Sequence, residues 1–277
     1  MISGSTGLVG SRIIELLKDD FNFIQLLAKN VDITDSQKVS NFINEKDFDI
    51  FLHLAAYTNV NGAELEKEIA HTINVEGTKN VFDAVLKKGG KFIYISTDYI
   101  FSGEDKDIVY TEDSKPNPNG IYGITKYEGE KIVKDKGMII RIAYPFRAYF
   151  EDKKDFVASI RSVLERGQEI SAVTDSYITP TFIDDIAYAL KYLLENFNPE
   201  IYHIVGSSYL TPYNALKLIA QNFNLDTGLI RPTSFASYFK EYAAIRPQYS
   251  AVKSIKNNFY QMRSFEKSLE EIIRQLV

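Results

Sequence analysis

The chain has 277 residues, 45% of them hydrophobic, which is enough for one sizeable α/β core or a core with a smaller lobe. Its net charge is −5 with acids and bases mixed along the chain, so no nucleic-acid partner is expected. There is no cysteine, which excludes disulfides, thiolate metal sites and cysteine nucleophiles, and the three histidines (His53, His71, His203) lack ligand spacing, so no metal is expected. No apolar run is long enough to span a bilayer and the start lacks the basic residues of a signal peptide. A cytoplasmic protein without a membrane partner, monomeric or homodimeric, is expected.

Met1–Ser3 lead into Gly4-Ser-Thr-Gly7-Leu-Val-Gly10, and an amphipathic helix follows with Ile13, Ile14, Leu16 and Leu17 on one side. Phe23–Ala28 is almost continuously apolar and predicts a buried strand. Thr34 or Asp35 can cap a helix whose inner face carries Val39, Phe42 and Ile43. Phe48–Ala56 predicts a second buried strand, followed by a long helix from about Leu65 to Leu86 that Gly89-Gly90 ends. Then come a strand at Phe92–Ser96, a helix at Tyr122–Lys134 and a strand at Met138–Tyr144. Apolar strands alternating with helices imply an α/β fold, a doubly wound parallel sheet of the Rossmann type covered on both faces.

Beyond about residue 146 the rhythm loosens. Helices are predicted at Phe156–Arg166, Asp184–Glu195, Tyr213–Asn222 and Phe265–Leu276, with short strands at Glu169–Val173 and Ile201–Val205. The Pro-, Ser- and Tyr-rich stretch from Arg231 to Ser250 reads as loop. The expected division is a dinucleotide-binding domain at 1–146 and a smaller C-terminal substrate lobe at 147–277. That lobe is interleaved with elements returning to the first domain at about 182–205.

Gly4, Gly7 and Gly10 are spaced as a variant of the dinucleotide fingerprint. Such a turn, here filled by Thr6, Leu8 and Val9, lets backbone approach a pyrophosphate at a helix N-terminus whose dipole favours the anion. Only Met1–Ser3 precede it, whereas the feeding strand is normally central and about five or six residues long. The expectation is either an unusually short central strand or a few apolar residues missing upstream. After the second strand, Leu27-Ala28-Lys29-Asn30 has no acid for ribose hydroxyls and one cation, which leans towards the 2′-phosphate of NADP(H) over NAD(H). Asp32, followed by Ile33, can instead receive the adenine amino group.

Tyr-x-x-x-Lys places two side chains on one helix face, about one turn apart. An adjacent ammonium is expected to favour the phenolate of such a tyrosine, tuning it to exchange a proton with a carbonyl oxygen. Five tyrosines (Tyr122, Tyr127, Tyr149, Tyr213, Tyr249) have lysine four residues on, so spacing alone selects none. Tyr122 opens the helix after the strand ending Ser96-Thr97, which puts it beside a hydroxyl at the carboxyl edge of the sheet, where such folds bind ligands. Tyr127 lies about 140° around that helix from Tyr122, and the other three lie in the outer lobe. Thr97, Tyr122 and Lys126 are therefore the candidate catalytic trio. Thr97 would bond the substrate carbonyl, and Lys126 would also hold the nicotinamide ribose.

The sequence resembles the extended short-chain dehydrogenase/reductases, and within them the dTDP-4-dehydrorhamnose reductases, over nearly the whole chain. The segments that carry the resemblance are Gly4–Gly10, Asp32–Asp35, Leu54–Thr58, Ile73–Thr78, Ser96-Thr-Asp-Tyr-Ile-Phe101 and Tyr122–Lys126, with Asp175, Thr179–Thr181 and Arg246-Pro247. The resemblance implies a pyrophosphate over Gly7–Val9, adenine near Asp32 and Ile33, and Ala55, Ala56 and Tyr57 lining the cofactor. It also implies that Thr97 and Asp98 meet the sugar, and that Tyr122 donates a proton as NAD(P)H reduces the 4-keto group of a nucleotide-linked deoxysugar. Sugar-nucleotide dehydratases carry Glu where this chain has Tyr99, so elimination is not expected. Where the family reads Arg-Thr-Ser-Trp, this chain reads Arg141-Ile-Ala-Tyr144, which makes Tyr144 the substrate-facing aromatic. The alternatives are a reductase or epimerase of another nucleotide sugar, and a non-catalytic NADP-binding subunit similar to the methionine adenosyltransferase β subunit.

Overall fold

Strands buried on both faces must satisfy their backbone groups by pairing with one another. In the computed structural model, which describes residues 1–276, the elements run β1 (Ile2–Ser3), α1 (Leu8–Leu17), β2 (Gln25–Leu26), α2 (Ser36–Asn44), β3 (Ile50–His53), α3 (Val60–Leu65), α4 (Lys67–His71) and α5 (Thr78–Lys87). They continue with β4 (Lys91–Thr97), α6 (Ile121–Val133), β5 (Met138–Ile142), β6 (Pro145–Phe146), α7 (Phe156–Glu165), β7 (Ile170–Val173), β8 (Thr181–Phe182) and α8 (Ile183–Glu195). The last are β9 (Ile201–His203), α9 (Pro212–Asn222), β10 (Ile230–Thr233), α10 (Phe235–Tyr238) and α11 (Phe265–Leu276). Six strands form one parallel sheet in the order β2-β1-β3-β4-β5-β9. The order reverses between β1 and β3, so the crevice for a ligand opens at the carboxyl ends of those two strands.

The two-residue alternation of strands sends neighbours to opposite faces. Leu52, Ile93 and Ile140 pack with Ile13 and Leu17 of α1 and Ile186, Leu190 and Leu193 of α8. Phe51, Phe92 and Ile139 pack on the other face with Val39 and Ile43 of α2 and Val81, Phe82 and Val85 of α5. A third core joins Val157, Ile160 and Leu164 of α7 to Leu216 and Ile219 of α9 and to Phe265, Leu269 and Ile272 of α11. Helix α8 and strand β9 thus belong to the main sheet although they lie late in the chain.

Several elements differ from the expectation. The strand expected at Phe23–Ala28 is only β2, an edge strand with Gln25 exposed, so half of that apolar run covers the core as loop. β1 has two residues and still pairs on both sides. The single long helix is interrupted at Glu66, whose φ of −119° and ψ of 52° end α3, and contains a π-turn at Thr72–Gly77. The stretch read as loop begins with β10, which pairs in parallel with β7, and continues into the short α10. Pro232 is tolerated there because the pair has only two strands and each is an edge.

A buried polar network ties α6 to the sheet. Arg141 of β5 donates from Nε and Nη2 to Glu130 of α6 at 2.9 and 2.8 Å, and from Nη1 to His203 Nε2 of β9 at 3.3 Å. His203 Nδ1 then donates to the Lys253 carbonyl at 2.9 Å. Glu112 accepts from the main-chain N–H of His203 and of Ile255, both at 2.9 Å. Breaking such a pair by removing one partner costs about 3–5 kcal/mol, because the other charge stays buried.

Burial pushes His203 down to about 4, and burial together with the Lys126 charge pushes His53 down to about 3. The unfolded chain protonates both near their ordinary value of about 6.5. Below that pH the unfolded state therefore binds more protons, and stability falls as pH drops from about 6.5 towards 4. Asp98, raised to about 6, opposes this over part of the range. Denaturant melts at pH 7.5, 6.0 and 5.0 should show progressive loss of stability, with a shallower slope for His53→Asn; equal slopes would contradict this.

Candidate active site

The glycine turn is set by contact. Gly4 has φ +67°, and a Cβ there would lie 2.7 Å from the Leu54 carbonyl carbon; a Cβ on Gly10 would lie 2.3 Å from the Gly4 oxygen. Gly7 is the open position: it caps α1 in an extended conformation without a side-chain cap, and no acidic residue stands in the first turn. The first N–H groups of α1 are thus offered to an anion. Beside them, Ser5 Oγ is buried without a hydrogen-bond partner among the described residues, as expected where a phosphate oxygen belongs. Leu8 and Val9 form the first turn of α1, and Thr6 is exposed at the rim.

At the adenine end, Lys29 and Asp32 are exposed, and Asp32 Oδ1 accepts from the N–H and hydroxyl of Thr34, both at 2.9 Å. Ile33 is buried against Gly77, and Asn80 holds its carbonyl at 3.0 Å. Ala55, Ala56 and Tyr57 follow β3, with the Ala55 N–H on Ser3 Oγ at 3.3 Å. The Tyr57 ring, however, lies against Gly62 of α3 and its phenol bonds Glu66.

Asn74, to which no role was assigned from the sequence, organises this side. Buried in the π-turn, it accepts from the Tyr57 N–H at 2.7 Å and donates to the Tyr57 carbonyl at 3.2 Å and to Thr125 Oγ1 at 3.0 Å. Thr125 donates in turn to the Tyr122 carbonyl at 3.1 Å. The available signal was an amide-bearing residue inside a run otherwise read as helix, where it has to find partners.

The structure brings Thr97, Tyr122 and Lys126 to one place. Thr97 ends β4, and α6 lies so close above it that a Cβ on Gly123 would be 2.1 Å from the Tyr99 carbonyl oxygen. The Tyr122 ring meets Tyr99 edge-on at 5.5 Å, and its phenol lies on the side of the Thr97 hydroxyl. Burial, reinforced by Asp98 and Tyr99, pushes the Tyr122 phenol up. The expected depression by Lys126 is therefore corrected: Lys126 Nζ turns to the Ile95 carbonyl at 2.7 Å and lies 4.0 Å above the Tyr94 ring. Burial lowers Lys126 to about 7, against the pull of Glu130. A phenol so placed keeps its proton at neutral pH, the state a proton donor needs.

Around the trio, Asp98 is buried and raised by that burial to about 6; it accepts from Thr97 Oγ1 at 3.1 Å and from the Ser250 hydroxyl. Tyr144 adopts a positive φ of 40° and is pushed up to about 12 by burial and by Asp98. Arg246 reaches the same side, stacking 4.9 and 5.0 Å from the Phe239 and Tyr242 rings and donating to Asn61 Oδ1 at 2.9 Å. The aromatic residues that hold Arg246 were missed because their segment read as loop. Among the described residues no cluster of three His, Cys, Asp or Glu could hold a metal ion, and no helix is long and apolar enough to cross a membrane.

Comparison with known proteins gives the same picture. The chain is 28% identical over 285 residues to the dTDP-4-dehydrorhamnose reductase of Mycolicibacterium smegmatis, covering 100% of this chain and 85% of that protein. It is 28% identical over 283 residues to the spore coat polysaccharide biosynthesis protein SpsK of Bacillus subtilis, covering 99% and 96%. Among solved structures, a dTDP-4-dehydrorhamnose reductase from Bacillus anthracis in complex with NADP superposes with a TM-score of 0.91 at 31% identity, covering 99% of this chain and 98% of that one. The family model described as the RmlD substrate binding domain matches residues 1–277, and with the glycine turn and the Thr97/Tyr122/Lys126 trio in place, the chain belongs to that family of extended short-chain dehydrogenase/reductases.

Proposed function

We propose that this protein is an NADPH-dependent oxidoreductase that reduces the 4-keto group of dTDP-4-dehydrorhamnose to give dTDP-L-rhamnose. The observation that carries this reading is the placement of Tyr122 beside Thr97 at the carboxyl edge of the sheet, with Lys126 buried one helical turn on, in a chain whose relatives include named reductases of that sugar. The dinucleotide would lie over Gly4, Thr6, Gly7, Leu8, Val9 and Gly10, with Lys29 for the 2′-phosphate and Asp32 and Ile33 at the adenine. Ala55, Ala56 and the main chain of Tyr57 would line its middle. Residues 1–146 would carry the cofactor and 147–277 most of the sugar-nucleotide contacts.

When bound, the nicotinamide supplies the hydride that reduces the carbonyl carbon. Tyr122 holds the proton that the new alkoxide takes, and its raised affinity for that proton keeps it loaded at neutral pH. The Thr97 hydroxyl donates to Asp98 at 3.1 Å here, and turning that proton to the substrate oxygen would make Thr97 a second donor at the same point. Lys126 would bind the nicotinamide ribose and stabilise the phenolate left after transfer. Tyr144, with Tyr99 and Arg246 behind it, would face the sugar nucleotide, and its smaller ring in place of tryptophan alters the fit there.

Two outcomes check this assignment. Tyr122→Phe should lower kcat by about 10²–10⁴-fold while the NADPH Kd changes little; unchanged turnover would remove Tyr122 from its role. Gly10→Ala should weaken NADPH binding far more than it alters the isolated sugar site, since its methyl would meet the Gly4 oxygen at 2.3 Å. Fluorescence titration with NADPH measures that effect, and undiminished affinity would sink the placement of the cofactor.

A further inference from the structure

Lys126 is buried to 3% exposure, yet only one hydrogen bond from its ammonium is made within the chain, to the Ile95 carbonyl. Its closest further partner is the face of Tyr94, whose ring centroid lies 4.0 Å from Nζ. An ammonium has three donors and a strongly unfavourable transfer into protein interior, and an aromatic face offsets part of that cost. Tyr94 itself is held from every side. Its phenol donates to the Lys126 carbonyl at 3.2 Å, and His53 stacks on its ring with the centroids 6.0 Å apart. Gly129 leaves room for the phenol, since a Cβ there would be 2.3 Å from Tyr94 Oη.

The charged and titratable groups facing Lys126 are few. On α6 itself stand Tyr122 and Glu130, on β3 His53, on β4 Tyr94, and on β5 Arg141. Glu130 is taken up by the two bonds from Arg141, so its charge is largely matched before it reaches Lys126. His53 stays neutral and adds no second cation. The aromatic face is thus the nearest uncommitted partner of the ammonium.

We propose that Tyr94 is a positioning residue: its ring face keeps the Lys126 amine charged inside the protein, and its phenol pins the turn of α6 that carries that amine. This rests on the reading of Lys126 as part of the catalytic trio. Loss of the face lowers the proton affinity of Lys126, so the charged form disappears at a lower pH and the basic limb of turnover moves with it.

The test is the pH profile of kcat for NADPH oxidation in wild type, Tyr94→Phe and Tyr94→Leu, with Lys126→Ala as reference. Tyr94→Leu should move the basic limb down by about one pH unit, whereas Tyr94→Phe, which keeps the face, should leave it in place. A Tyr94→Leu limb that coincides with wild type, or a Tyr94→Phe limb that moves as far, would overturn the proposal alone. Wild-type turnover by Lys126→Ala would instead overturn the reading of Lys126, and this proposal with it. If Tyr94→Leu does not fold, proton NMR of wild type decides. The ε-methylene protons of Lys126, assigned by their loss in Lys126→Ala, should lie upfield from the ring current; unshifted protons would overturn the proposal.

Discussion

Everything at this site depends on how closely helix α6 lies on strand β4. Two of its residues are glycines where a side chain has no room: a Cβ would stand 2.1 Å from the Tyr99 carbonyl, in the turn just after β4, at Gly123 and 2.3 Å from the Tyr94 phenol of β4 at Gly129. A side chain at either place would lift the helix away from the strand. With the helix seated, Tyr122 meets Thr97 and the Lys126 amine enters the protein beside Ile95. The Glu130–Arg141 pair then locks the far end of the helix to β5, and Asn74 with Thr125 ties the near end to the segment after β3 at Tyr57.

The close approach also sets the chemistry. It buries the phenol and the amine together, and burial works on them in opposite directions: the phenol keeps its proton and the amine gives its proton up more readily. For a reductase the first effect is useful and the second has to be countered. An aromatic face and a partly matched carboxylate are what the fold provides to counter it. The glycine turn on β1 follows similar logic, with backbone packed so tightly at Gly4 and Gly10 that only Gly7 is left open, where helix N–H groups face outward.

Much of this was legible in the sequence. Continuous apolar runs gave the parallel strands, Asp35 was a readable cap, and the strand ending in Thr97 singled out Tyr122 from five equivalent spacings. What escaped was decided by contacts between distant segments. The Lys126 amine lies against the ring of Tyr94, which reads as one more apolar residue of a strand. The role of Asn74 depends on a π-turn that helical periodicity does not reveal, and Arg246 depends on Phe239 and Tyr242, two aromatic rings just beyond the short α10 in a Pro- and Ser-rich stretch. The proximity of Tyr and Lys suggested a depressed phenol, but spacing carries no information on burial, which reverses the shift.

In the proposed reaction, Thr97, Tyr122 and Lys126 together reduce a nucleotide-linked ketosugar. Its most direct test is NADPH oxidation by the purified protein across a panel of nucleotide-linked 4-ketosugars, read by loss of nicotinamide absorbance. Oxidation should be fastest with dTDP-4-dehydrorhamnose, with dTDP-L-rhamnose formed in equal amount. NADPH binding without oxidation by any member of the panel would contradict it.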